Sequence, residues 1–186
     1  MQTVSTSGAM PVPSLQRPTL RFLFAHPAHL IALGFGSGLP RRAPGTVGTL
    51  WAWATFLVMQ RWLSMPAIGW VILASLPIGW WACTVTARHM NIADPGSIVW
   101  DEVVAFWLVL WLVMPTGLLA QMIAFALFRF FDAAKPGPVA WADKLFKQRD
   151  AAPGAVQWGA AGFGILFDDL VAAFCTLLVI AAWRGW

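Results

Sequence analysis

The chain has 186 residues, of which 59% are hydrophobic and only 11% charged. A soluble domain carries roughly 25% charged residues, so this composition excludes the soluble globular class and points to one compact membrane domain. The net charge of +4 is too small and too scattered for nucleic-acid binding and fits basic residues facing anionic lipid.

Thirteen Trp and no Tyr suit interfacial anchoring by indole. Cys83 and Cys175 both lie in apolar runs, with neither metal-ligand spacing nor a disulfide framework, and read as small packing residues.

In chain order, residues 1–19 are rich in Ser, Thr, Pro and Gln, lack the apolar core of a signal peptide, and are expected to form a disordered cytoplasmic tail. Residues 20–186 then form the membrane-embedded domain. Leu20–Leu39 is apolar but interrupted by Pro27 and Gly-rich at its end, which suggests an interfacial amphipathic segment with His26 and His29 at the membrane surface. A transmembrane helix needs about 20 mostly apolar residues. The candidate spans are Thr46–Trp62, Pro66–Ala87, Ile98–Met114, Gly117–Phe131 and Leu166–Trp183, the third and fourth being short. The expected fold is an all-α bundle of five transmembrane helices plus the N-terminal amphipathic segment.

Charge sets the orientation. The N-terminal side holds Arg17, Arg21, Arg41, Arg42, Arg88, Arg129, Lys135, Lys144, Lys147 and Arg149, against Arg61 and Arg184 on the other. Ten against two places the N-terminus in the cytoplasm by the positive-inside rule. The eight carboxylates, unused in that count, all fall on the same side. Asp101 and Glu102 open the third span, Asp132 closes the fourth, and Asp168 and Asp169 open the fifth. Ionisable groups at such depth are expensive and by default functional.

Carboxylates pooled at one membrane face can hold a hard cation, relay protons, or pair with Lys and Arg. Mg²⁺ takes oxygen ligands, typically one or two carboxylates plus substrate phosphate, so Asp101, Glu102, Asp168 and Asp169 are the candidate metal ligands. Adjacent helical residues diverge by about 100°, so one member of each pair is expected to face the shared site. The rival reading is ion pairing with Arg129, Lys135 and Lys144.

The glycine-rich run from Gly34 to Leu50 sets Ser37, Thr46 and Thr49 near a helix start, where backbone N–H groups can meet an anion; tight loop packing explains the glycines equally well. Arg129, Asp132 and Lys135 stand at i, i+3 and i+6, so the two cations are expected to straddle the carboxylate. Other phosphatase routes fail on their residues. Cys83 precedes Arg88 with the wrong spacing for a thiolate phosphatase, no Asp-x-Asp pair exists, and the three His lack zinc-site spacing.

The strings GFGSGLPRRAPGTVGTL at 34–50, DPGSIVWDEVVAFWL at 94–108, FRFFDAAKPGPVAWAD at 128–143 and GFGILFDDLVAAF at 162–174, in this order, resemble the phosphatidylglycerophosphatase A family. The resemblance implies a Mg²⁺-dependent phosphatase of the bacterial inner membrane. Its phospholipid substrate would be phosphatidylglycerophosphate, which loses its terminal phosphate at the cytoplasmic face to give phosphatidylglycerol. Asp101, Glu102, Asp132, Asp168 and Asp169 become the candidate catalytic residues, and Ser37, Thr46, Thr49, Arg129 and Lys135 the candidate substrate-binding ones. Ala105 stands where the family usually has Gly, Gly137 where Trp is frequent, and Lys147–Trp158 lengthens a cytoplasmic loop. The alternatives are a phosphatase for another lipid phosphate (phosphatidate or a prenyl diphosphate) and a small cation carrier. The carrier reading wants polar groups on both sides of the midplane, and the far side offers only Arg61 and Arg184.

Overall fold

The computed structural model describes residues 17–146 and 156–184. Among these it is all helical, with α1 Leu20–Phe24, α2 Pro27–Ala32, a 3-10 turn at Gly34–Gly36, α3 Pro44–Trp62, α4 Met65–Met90, α5 Trp100–Val113, α6 Leu118–Ala134, α7 Pro138–Phe146 and α8 Trp158–Arg184. The local chemistry explains the boundaries. Prolines sit in the first turns of α2, α3 and α4, where the missing N–H costs nothing. Asn91 and Lys135 close α4 and α6 in the left-handed conformation.

All five expected spans are helical. Two of the helices, Met65–Met90 and Trp158–Arg184, are long and apolar enough by length and composition to cross a membrane. Large apolar side chains such as Leu57, Trp70, Leu73, Ile123, Phe174 and Leu178 are exposed on the outer faces of α3, α4, α6 and α8.

The five helices alternate in direction. At one end Trp111 Nε1 donates to the Met65 carbonyl at 2.8 Å and Arg184 Nη2 to the Val113 carbonyl at 3.1 Å. At the other end Arg129 of α6 lies 4.0 Å from Glu102 of α5 and beside Gly45 of α3. The centre of the bundle is α5, in which Trp100, Glu102 through Trp107, Val109, Leu110 and Val113 are buried. At 1.5 Å per residue its 14 residues reach only about 21 Å. Neighbours shield it on nearly every side.

Small residues let the helices close on this centre. A Cβ at Gly48 would meet Val99 Cβ at 2.7 Å, one at Gly79 would meet Trp100 Cδ1 at 2.5 Å, and one at Gly162 would meet the Thr84 backbone N at 2.8 Å.

Two expectations need correction. First, α8 begins at Trp158, not near Leu166, so Asp168 and Asp169 lie inside the helix. From Trp158 to Asp169 is about 16 Å of helix. The stretch before Leu166 is helical: α8 runs beyond the acidic level alongside α4, with Trp80 Nε1 donating to the Gly159 carbonyl at 2.8 Å. Second, His29 is 3% exposed, so it is a buried residue and not an interfacial one.

The expected N-terminal amphipathic segment breaks at Pro27 into α1 and α2, and α2 docks on the projecting end of α4. There His29 Nε2 meets His89 Nδ1 at 2.8 Å and His29 Nδ1 meets the Phe22 carbonyl at 2.7 Å. On the other flank α7, a helix where a loop was expected, packs on the start of α8 through Phe146, Phe163 and Phe167. The expected disorder of the tail, for residues 1–16, and most of the lengthened loop, residues 147–155, lie outside the described residues.

Candidate active site

The start of α5, the end of α6 and the interior of α8 converge at one level and bring their carboxylates together. One oxygen each from Asp101, Glu102 and Asp169 lies within 4.8 Å of the others. Glu102 is 9% and Asp169 3% exposed, and Asp101 is only partly so. Asp101 Oδ1, Glu102 Oε2 and Asp169 Oδ2 have no hydrogen-bond partner among the described residues. Like charges this close repel by about 3–4 kcal/mol per pair at an effective dielectric of ~20. Such a cluster needs a positive charge or protons at its centre.

The side-chain cations do not supply it. Arg129 Nη1 is taken up by an ion pair with Asp132 one turn along α6, stands 4.0 Å from Glu102, and lies 3.5 Å from Thr49 Oγ1. Lys135 is paired with Asp143 of α7 and, at 2.6 Å, with Asp168 of α8. The two cations thus pair with four carboxylates, Glu102, Asp132, Asp143 and Asp168. The donor set is all oxygen, the oxygens are buried, and each of the three clustered groups keeps one oxygen unsatisfied. That is the chemistry a hard divalent cation fits.

The two acidic pairs behave differently. Asp168 and Asp169 diverge as expected: Asp169 joins the cluster while Asp168 turns to Lys135. Asp101 and Glu102 both offer an oxygen to the cluster, where one was expected. Nor do Arg129 and Lys135 straddle Asp132 on one helix. The helix ends at Ala134, and Lys135, at φ 45° in the left-handed region, reaches toward α7 and α8.

The glycine-rich run divides in the same way. Ser37 Oγ donates to the Gly34 carbonyl at 2.8 Å, closing its own turn. Thr49, fully buried, donates to the Gly45 carbonyl at 2.8 Å. Thr46 is half-buried in the first turn of α3. The informative residue is Gly45, which the sequence reading passed over. A Cβ there would run into Glu102 Oε1 and come within 3.2 and 3.3 Å of the Arg129 guanidinium nitrogens. Glycine therefore lets the start of α3 touch the acidic centre. No side chain caps that helix, so its first-turn N–H groups and positive dipole end are free to face an anion. Asp143 was also missed as a site element; its only sequence signal was its place in the 128–143 string.

The arrangement can place a phosphate between a cluster of carboxylates, a guanidinium and a helix N-terminus. The family model described as phosphatidylglycerophosphatase A matches residues 30–184. The chain is 34% identical over 169 residues to phosphatidylglycerophosphatase A of Haemophilus influenzae, covering 91% of this chain and 96% of that one. It is 36% identical over 153 residues to phosphatidylglycerophosphatase A of Escherichia coli K12, covering 82% and 80%. No solved structure matches it.

Proposed function

The chain belongs to the phosphatidylglycerophosphatase A family, phosphatases acting on phosphoric monoesters, and from that premise we propose that it converts phosphatidylglycerophosphate to phosphatidylglycerol, using Mg²⁺, at the cytoplasmic face of the membrane. The observation that carries the reading is the buried oxygen cluster of Asp101, Glu102 and Asp169, each with one oxygen unsatisfied.

These three residues would hold the metal. A divalent cation there supplies neutralisation of phosphate charge and acidification of water. The rest falls to the chain's own groups. Arg129, fixed in orientation by Asp132, offers N–H donors to the phosphoryl oxygens, which suits a guanidinium's fork. The first-turn N–H groups of α3, with the Thr46 hydroxyl, face the same anion. Water adds to phosphorus in line with the ester oxygen, the bond between phosphorus and that oxygen breaks, and the proton given up by water ends on the glycerol oxygen. Asp168 with Lys135 forms a second polar pair beside the cluster.

The five-span topology is part of the proposal. Helices occupy all five segments with alternating direction, the ten-to-two charge asymmetry favours a cytoplasmic N-terminus, and Trp80 and Trp81 are half-exposed on α4, as suits indoles that anchor at an interface. The test is phosphate release by the purified chain from a panel of phosphatidylglycerophosphate, phosphatidate and prenyl diphosphate, with Mg²⁺ or with chelator. Release from the first, with Mg²⁺ only, is the expected result. Preference for another member, or full activity under chelator, overturns the corresponding part.

A further inference from the structure

A cavity of about 250 Å³ opens beside the start of α3, apart from the acidic cluster. Its walls come from three stretches: Gly38–Arg41 with Pro44, the α4–α5 connection from Met90 to Ser97, and Arg17 ahead of α1. Gly38 brings two of the walls together, since a Cβ there would lie 3.2 Å from the Ser97 carbonyl carbon. A Cβ at Gly96 would meet nothing within 4 Å, so the cavity stays open beside it.

The cavity carries two guanidiniums, Arg17 and Arg41, and one carboxylate, Asp94. Neither Arg17 nor Arg41 forms an ion pair with a described residue. Two guanidiniums in one concavity, neither held in an ion pair among the described residues, form an anion site, and their planar forks match phosphate oxygens.

Position gives the cavity its meaning. Pro44 lines it, and the next residue, Gly45, touches Glu102 and Arg129 of the acidic centre. Neighbouring Cα atoms are about 3.8 Å apart, so the two sites lie on either side of the α3 start. The substrate in the proposed function, on which this inference rests, carries two phosphates separated by one glycerol: the terminal monoester and the phosphodiester that leads to the lipid. We propose that the Arg17–Arg41 cavity is the subsite for that phosphodiester, holding it while the terminal phosphate sits at the acidic centre. The cavity thereby selects this lipid over phosphatidate, whose single phosphate cannot occupy both sites.

The test uses the full-length chain in detergent, hydrolysing phosphatidylglycerophosphate, with two soluble competitors: glycerol 1,3-bisphosphate and glycerol 3-phosphate. The readout is the ratio of their inhibition constants. Wild type is expected to prefer the bisphosphate by roughly tenfold or more, the value of a charge-assisted contact. Arg17→Gln and Arg41→Gln should each bring the ratio several-fold toward one. Arg42→Gln removes the same charge one residue away but does not line the cavity, and should leave the ratio as in wild type. An unchanged ratio in Arg41→Gln, or no preference in wild type, overturns the subsite. An equal fall in Arg42→Gln overturns it in favour of diffuse attraction to anionic lipid. If wild type releases no phosphate from phosphatidylglycerophosphate at all, the proposed function fails and takes the subsite with it.

Discussion

The two ends of the bundle treat buried polar groups in opposite ways. Away from the acids, polar groups are paired: Trp111 with the Met65 carbonyl, Arg184 with the Val113 carbonyl, and Trp53 with Gln121 Oε1 at 2.7 Å, while Gln121 Nε2 donates to the Thr116 carbonyl at 3.1 Å. At the acidic end three carboxylates crowd within 4.8 Å, each with an oxygen left over. An unsatisfied buried polar atom costs about 1–3 kcal/mol, more when charged. A fold that satisfies such groups at one end and leaves several open at the other has kept them for something that binds there.

That division can be broken by substitution at either end. The largest effect is expected for Glu102→Gln, which removes one ligand charge and little volume. Activity should fall at least about a hundredfold, since metal stabilisation of the transition state is worth several kcal/mol and each 1.36 kcal/mol is tenfold. The folded fraction in detergent should be undiminished. In the paired region away from the acids, Trp107→Ala should do the reverse. Trp107 is 7% exposed and donates to the Ala52 carbonyl at 2.9 Å. Its loss should cost about 3–5 kcal/mol of stability, read by denaturation, with turnover per folded molecule retained.

Between these lies Gly45→Ala, which forces Glu102 and Arg129 away from the α3 start. A misplacement near 1 Å can cost about a hundredfold, so activity should fall by tenfold to that limit while the melting temperature shifts little. Near-wild-type activity would remove the α3 start from the site.

The smallest effect concerns the histidines joining α2 to α4. Burial holds the His29 imidazole below its usual value of 6.5, opposed by its bond to the Phe22 carbonyl and assisted by His89 and His26. The unfolded chain then binds more protons than the folded one below that value. Stability contributed by neutral His29 is full above about pH 6.5 and is lost as the pH falls toward the folded pKa. Hydrogen exchange of residues 20–33 should quicken between pH 7.5 and 5.5, and His29→Gln should flatten that dependence. Exchange independent of pH in wild type would contradict the account.

Much of this was legible beforehand. The helical segments and the convergence of the acids follow from apolar runs and charge placement. The details that failed were set by tertiary contacts. Gly159, Gly162 and Gly164 look like a loop to any propensity scale, yet Gly162 and Gly164 are helical because Thr84 and Phe146 press against them. The destination of Lys135 depended on a left-handed cap that periodicity does not carry. The two acids of α5 both reach the cluster, where helical geometry alone suggested one. Helical geometry separates Asp168 from Asp169, but which of the two joins the cluster was not legible, and Lys135 pairs with Asp168.

That separation gives the most direct test of the metal reading. Thermal unfolding in detergent is measured for wild type, Asp168→Asn and Asp169→Asn, each with Mg²⁺ or chelator. A ligand that binds only the native state adds RT ln(1 + [L]/Kd) to its stability, so the wild-type midpoint should rise with Mg²⁺. Under chelator Asp169→Asn should be no less stable than wild type, because it relieves repulsion within the cluster, and it should lose the rise with Mg²⁺. Asp168→Asn should melt earlier under both conditions, having removed a partner of Lys135, while keeping much of that rise. A wild-type midpoint indifferent to Mg²⁺ at activating concentrations, with Asp169→Asn melting earlier under chelator, would contradict the account and leave the acids as structural ion-pair partners.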